Sequence, residues 1–168
     1  MLRPLDPDRD GSALHAIFGD EECCTYLAGP ANRSVKETVS MLREWNEGAE
    51  ETTWAIVEAE DGEALGRATL IPRGRDVWEI GIMLCPTAQG RGLAAKALIE
   101  VIELGFGRLG ARRIFADIDD ENVASIRLFE RLGFRREGLL RANWKTHIGV
   151  RDSLIMGLVD TDIRPWQD

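Results

Sequence analysis

Apolar residues recur along this chain with two different periods, and their alternation lays out its elements. Leu2–Leu5 is a short extended candidate. From Asp8 to Phe18, Leu14, Ile17 and Phe18 fall at helical spacing. Thr25–Arg33 reads as a loop broken by Gly29-Pro30. Ser34, with Glu37 three residues on, forms a capping box; the helix it opens places Val35, Val39 and Leu42 on one face and stops near Gly48. Two strands follow, about Thr52–Val57 and Leu65–Ile71, with Asp61-Gly62 as the hairpin turn between them. In a third strand, Val77–Leu84, the residues Trp78, Ile80, Ile82 and Leu84 point one way and Glu79, Gly81 and Met83 the other. Pro86 ends it.

A long helix from about Gly92 to Arg108 carries Ala94, Ala97, Leu98, Val101, Ile102 and Phe106 on its apolar stripe. After a strand at Arg113–Ile118, a helix over Asn122–Leu132 is expected to bury Val123, Ile126, Phe129 and Leu132, with Gly133 as its left-handed cap. Strands at Arg135–Leu140 and Asp152–Val159 complete the pattern. No linker, repeat or low-complexity tract interrupts it. The order predicts one α+β (mixed α/β) domain over residues 1–168, with helices interrupting a largely antiparallel sheet.

Composition narrows the setting. With 168 residues, two separate cores would be small and marginal. Hydrophobic residues make up 44% and charged residues 30%, and no apolar run approaches the roughly 20 residues of a membrane span. The first residues turn charged at Arg3 and Asp6, without an apolar signal core. Three cysteines, with Cys23 and Cys24 adjacent, make no disulfide framework, so a reducing, cytoplasmic setting away from membranes is expected. A net charge of −8 argues against sequence-independent binding to nucleic acid. It suits amine partners through long-range attraction, and equally it suits plain solubility.

The informative chemistry lies where the third strand gives way to the long helix, in Cys85-Pro86-Thr87-Ala88-Gln89-Gly90-Arg91-Gly92-Leu93-Ala94-Ala95. Two glycines flank an arginine just before a helix. Without Cβ atoms the backbone curls and admits a bulky anion. The first helical N–H groups and the helix dipole then form an anion pocket suited to a pyrophosphate, to which Arg91 adds charge. Three ligand classes compete for it. A P-loop needs Gly-Lys-Ser or Gly-Lys-Thr, and Gly92-Leu93-Ala94 offers neither. A dinucleotide fingerprint fits Gly90-x-Gly92-x-x-Ala95 literally, but five residues separate the strand from the first glycine and no second mononucleotide half follows.

The third class comes from resemblance. Gln89-x-x-Gly92-x-Ala94 resembles the Q/R-x-x-G-x-G/A pyrophosphate signature of GNAT acetyltransferases, and Asn122-x-x-Ser125 through Gly133-Phe134 resembles the same family's N-x-x-S/A…GF block. Arg136–Arg141 and Val150–Ser153 are similar to the subgroup of ribosomal-protein N-terminal and polyamine acetyltransferases. The likeness is close over Trp78–Val159 and extends only to element order before it. It implies the GNAT acyltransferase fold and an enzyme that moves acetyl from acetyl-CoA, without a metal, to a primary amine. The acceptor is expected to be a protein N-terminus, with a polyamine or other small amine next, attacking directly in a ternary complex. A non-catalytic acetyl-CoA-binding module is the rival.

The resemblance also implies roles. Ile82, Met83 and Leu84 would line the pantetheine arm with main chain, and Gln89, Gly90, Arg91, Gly92, Leu93, Ala94 and Ala95 would hold the pyrophosphate. Asn122 corresponds to a residue near the cofactor thiol, but it is equally a helix N-cap. Phe129 stands in the cofactor block where many members carry a tyrosine acid; it donates no proton, so Ser125 becomes the substitute acid, or else a plain helix-surface residue. Glu79 is the leading general base and Asp117 the second; either is alternatively a solvated strand residue. The N–H of Met83 would meet the oxyanion. Cys85 reads as packing rather than a covalent relay. His15 and His147 lack a cysteine or metal-ligand pattern. Tyr26, Trp54 and Trp144 are acceptor-pocket candidates, Trp144 first because it falls in the loop before the last strand. The terminal strands, as edges, offer pairing for a homodimer.

Overall fold

A computed structural model describes residues 1–49 and 52–167. Its mixed seven-stranded sheet has the order β1-β2-β3-β4-β5-β7-β6 and is flanked by four helices. The strands are β1 (Leu2–Pro4), β2 (Thr53–Ile56), β3 (Gly66–Pro72), β4 (Val77–Leu84), β5 (Arg113–Asp119), β6 (Arg135–Thr146) and β7 (Gly149–Val159). The helices are α1 (Pro7–Phe18), α2 (Val35–Asn46), α3 (Leu93–Gly107) and α4 (Val123–Arg131). β1–β2, β2–β3, β5–β7 and β6–β7 pair antiparallel, whereas β4 and β5 run parallel. The chain divides into two compact units, Met1–Thr69 with Gly81–Glu100, and Leu70–Ile80 with Val101–Asp168.

In the first unit, Asp6 caps α1 by accepting from the N–H groups of Asp8 and Arg9 at 2.9 and 3.3 Å. Arg3 of β1 meets Asp10 of α1 through two bonds of 2.8 and 2.6 Å, both partners buried. Leu14, Ile17, Phe18, Leu42, Ala55 and Val57 make the core. α1 and α2 approach closely because Gly11 has no side chain: a Cβ there would lie 2.4 Å from Val39 Cγ2. The Ser34 cap forms, with the Glu37 N–H donating to its Oγ at 3.3 Å. The Glu37 carboxylate reaches back one residue further than a capping box requires and accepts from Arg33 N–H at 2.7 Å. Val35 is 40% exposed, because the first turn of α2 overhangs the core rather than facing it. The β2–β3 connection occupies residues 57–65, longer than a two-residue hairpin, with Asp61 and Gly62 near its middle.

In the second unit, β5 alternates as its sequence requires, with Ile114, Ala116 and Ile118 buried. It pairs with β7 from Arg113↔Val159 to Asp119↔Ser153. Arg113 of β5 and Glu137 of β6 join by bonds of 2.7 and 2.5 Å across the intervening β7. They pass over Gly157, where a Cβ would come within 2.4 Å of both. Three expectations are corrected here. β6 and β7 reach Thr146 and Gly149, so Trp144 lies in a strand and not in a loop. The polar stretch Arg141–Lys145 resembles a loop because this edge strand is exposed on both sides, and a register shift between Leu140 and Trp144, with Ala142 at φ 51°, takes up the extra residues. Val123 is 50% exposed at the start of α4, whereas Ile126, Phe129 and Leu132 are buried.

Candidate functional site

The first unit carries the glycine loop. A 3-10 turn, Pro86–Ala88, follows β4, Gln89 is extended, and α3 begins at Leu93. Gly90 and Gly92 sit at φ 73° and 75°, in the left-handed region that only glycine enters cheaply. A Cβ at either would meet nothing within 4 Å, so glycine serves the turn and not a crowded packing contact. The first helical bond of α3 runs from Lys96 N–H to Gly92 O at 3.2 Å, which leaves the preceding N–H groups at the open helix end. Curled backbone, open space and helix N-terminus together fit a pyrophosphate. The Arg91 guanidinium, expected to add charge there, is held by Glu58 instead. Both side chains are exposed, so this pair is weak and open to exchange for a phosphate oxygen. Gln89 Nε2 donates to Leu84 O at 3.4 Å.

Ile82, Met83 and Leu84 are half-buried on β4. The parallel register of β4 with β5 covers Val77–Glu79 against Arg113–Phe115, and Ile82–Leu84 lie beyond it. Cys85, at the strand end, is 4% exposed, with its sulfur toward the carbonyls of Ala13 and Ala64 at 3.7 and 3.8 Å. Burial pushes its thiol pKa up, which disfavours the thiolate that a covalent relay needs. His15 Nδ1 bonds to Thr38 Oγ1 at 2.8 Å. Tyr26 is 41% exposed between α1 and α2.

The second unit carries the remaining candidates. Asn122 caps α4, its Oδ1 accepting from Ser125 N–H at 3.1 Å. The capping role is therefore realised, and Ser125 is half-buried one turn in. Phe129 is 2% exposed and packs edge-to-face on Phe134, with ring centroids 4.9 Å apart. Glu79 is ion-paired, accepting from Arg73 Nε at 2.8 Å and Nη2 at 2.5 Å, with its side chain 20% exposed. Asp117 accepts from Trp144 Nε1 at 3.1 Å and from Asn143 Nδ2 at 3.3 Å. Asn143 also donates to Ser153 Oγ at 3.0 Å. Trp144 is exposed.

Arg151, within the Val150–Ser153 stretch, and Asp119 are not legible as a pair in the sequence. Arg151 grips Asp119 with two 2.8 Å bonds and reaches Glu121 at 2.8 Å. Those bonds hold the Asp119 carboxyl below its usual range and the Arg151 guanidinium above its own. Their charges stand among ordinary surface charges in the chain, and only strand register brings them together. Among the described residues no group of three or more His, Cys, Asp or Glu side chains is placed to hold a metal, and no helix is long and apolar enough to cross a membrane.

Known proteins bear on this arrangement directly. The family model described as an acetyltransferase (GNAT) domain matches residues 1–135. The uncharacterized N-acetyltransferase YoaA of Bacillus subtilis is 30% identical over 147 residues, which cover 84% of this chain and 82% of that protein. Among solved structures, spermidine N-acetyltransferase from Vibrio cholerae in complex with CoA and spermine superposes with TM-score 0.79 at 20% identity, covering 95% of this chain and 94% of that one. Ribosomal-protein-alanine N-acetyltransferase from Brucella melitensis superposes with TM-score 0.72 at 24% identity, covering 95% and 99%. Together with the sheet order and the glycine turn that opens α3, these matches make the chain a member of the GNAT family of N-acetyltransferases.

Proposed function

We propose that this enzyme uses acetyl-CoA, held at residues 89–95, to acetylate a protein N-terminal amine. The observation that carries the cofactor reading is the pair of left-handed glycines, Gly90 and Gly92, with open space where their side chains would be. Acetyl-CoA supplies an activated thioester. Everything else falls to the chain's own groups. Main-chain amides of Gly90 to Ala95 bind the pyrophosphate, and Ile82–Leu84, beyond the ladder with β5, offer main chain to the arm. The Cys85–Leu65 bond sets a register that turns the Met83 N–H into the ladder with β3, so the donor expected there for the oxygen that gains charge passes to the neighbouring Leu84 N–H.

A protonated amine does not attack, so a base must take its proton, directly or through water. Glu79 has that role, with Arg73 fixing its carboxylate, and Asp117 is the second candidate. The Ser125 hydroxyl stands in as proton donor, since Phe129 has none to give. Asn122 orients the start of α4, and Tyr26 and Trp144 border the acceptor. Burial of Cys85 supports direct transfer over a covalent relay. The N-terminal acceptor rests on the likeness of Arg136–Arg141 and Val150–Ser153 to the ribosomal-protein subgroup. A polyamine acceptor is the second reading, favoured by the net charge of −8.

The test is transfer from labelled acetyl-CoA to N-terminal peptides and polyamines, with CoA binding measured by calorimetry. Transfer to peptides is the expected result. Transfer to spermidine alone would select the second reading, and binding without transfer to any amine would reduce the protein to a cofactor-binding module.

A further inference from the structure

One buried charge of the first unit meets no carboxylate among the described residues. Arg67 lies on β3 at 8% exposure, with its guanidinium carbon 5.1 Å from the centroid of the Trp45 ring. Its Nε is enclosed without a hydrogen-bond partner, and among the described residues no carboxylate pairs with it. Burial lowers its pKa to about 10, so it remains a cation at neutral pH. Arg3, the other enclosed arginine of this unit, also has an orphaned Nε, but its two terminal nitrogens are met by Asp10, a partner that Arg67 lacks among the described residues. A buried guanidinium N–H without an acceptor is unfavourable, and stacking on one indole offsets only part of that.

Its position gives it a use. Cys85 N–H donates to Leu65 O at 2.8 Å, and a Cβ at Gly81 would lie 3.3 Å from Thr69 Cγ2. These two contacts bracket Arg67 opposite Met83 on β4. Residues opposite one another on neighbouring strands share a face of the sheet. Arg67 therefore stands on one face of the sheet beside Met83, within the β4 segment proposed to line the cofactor arm.

We infer that Arg67 is the counter-charge for a carboxylate carried by the acceptor, so that the preferred substrates are amines bearing a carboxylate a few bonds from the reacting nitrogen. This rests on the acetyl-transfer reading and deepens it. The carboxylate has two sources, an acidic side chain at the start of a polypeptide or the terminal carboxylate of a small peptide or amino acid. A pure polycation such as spermidine is disfavoured at this position.

Paired acceptors test it: Glu-Ala-Ala-amide against Gln-Ala-Ala-amide for the first source, and Ala-Gly against Ala-Gly-amide for the second. The wild type should favour the carboxylate member of at least one pair by tenfold or more in kcat/KM. Arg67→Met keeps the length of the side chain and removes the charge. It should fold with an unchanged or higher Tm, retain CoA affinity, and bring the ratio within twofold of unity. The same pairs titrated calorimetrically into the protein, with and without CoA, read carboxylate recognition whether or not turnover occurs. Equal binding of both members of both pairs to the wild type, or a preference that survives in Arg67→Met, would overturn the inference. Failure of CoA to bind would instead overturn the acetyl-transfer reading.

Discussion

The indole N–H of Trp144 donates to the carboxylate of Asp117 at 3.1 Å, and Asn143 shares that carboxylate. Asp117 thus anchors an exposed aromatic ring on β6. Trp144→Phe keeps a ring and removes the anchor. It should raise KM for the amine severalfold with kcat within twofold and CoA affinity unchanged, as read by steady-state kinetics and calorimetry. A fall in kcat alone would place Trp144 in the chemical step.

Gly92→Val should weaken CoA binding at least tenfold. A β-branched residue at φ 75° is strained by about 1–2 kcal/mol, and relaxing that strain uncurls the turn before α3. Calorimetry with CoA checks this, and a far-UV spectrum like the wild type's would show that the loss is local.

Glu79→Gln retains the shape and removes the base. Turnover should fall by roughly 100-fold, within the usual contribution of a general base, and the low-pH limb of the rate profile should flatten. An unchanged profile would transfer the role to Asp117.

Cys85→Ala should leave turnover within about twofold while lowering stability by about 1 kcal/mol through the small cavity it creates. Activity insensitive to thiol alkylation in the native state is the companion result, because the sulfur is enclosed.

Asp119 has a depressed carboxyl pKa, so its bond to Arg151 stabilises the fold above the ordinary carboxylate value of 3.8. That contribution is lost as pH falls through the lowered folded-state value. Arg151→Met should lower stability at neutral pH, since it leaves the Asp119 carboxylate with only the Glu121 N–H as donor among the described residues. Urea midpoints of variant and wild type should differ at neutral pH and converge in acid, once the lowered Asp119 carboxyl is protonated.

Legibility in the sequence followed the physics of each position. The glycine turn was readable because a left-handed φ nearly dictates glycine, and α3 was readable because its apolar stripe faces one way. Phe129 was recognisable as unable to donate a proton from its identity alone. Trp144 was misplaced because an edge strand exposed on both faces carries no alternation to read. Val35 and Val123 look like core residues by spacing, but the first turn of a helix often extends past the layer it covers. Arg67 was invisible for a different reason. A charged residue among Gly66, Ala68 and Leu70 reads as one solvated position, and only three-dimensional packing reveals that it is buried with no carboxylate beside it among the described residues.

Gly157 gives the edge of the sheet a hidden dependence. The strap from Arg113 to Glu137 exists only because the strand beneath it is bare at one position. Adding a single methyl group there would cut a tie between strands that the methyl itself does not join. The first half of the outermost strand would then lose its side-chain tie to β5, and slower exchange at β6 amides than in such a variant is how this tie would be seen.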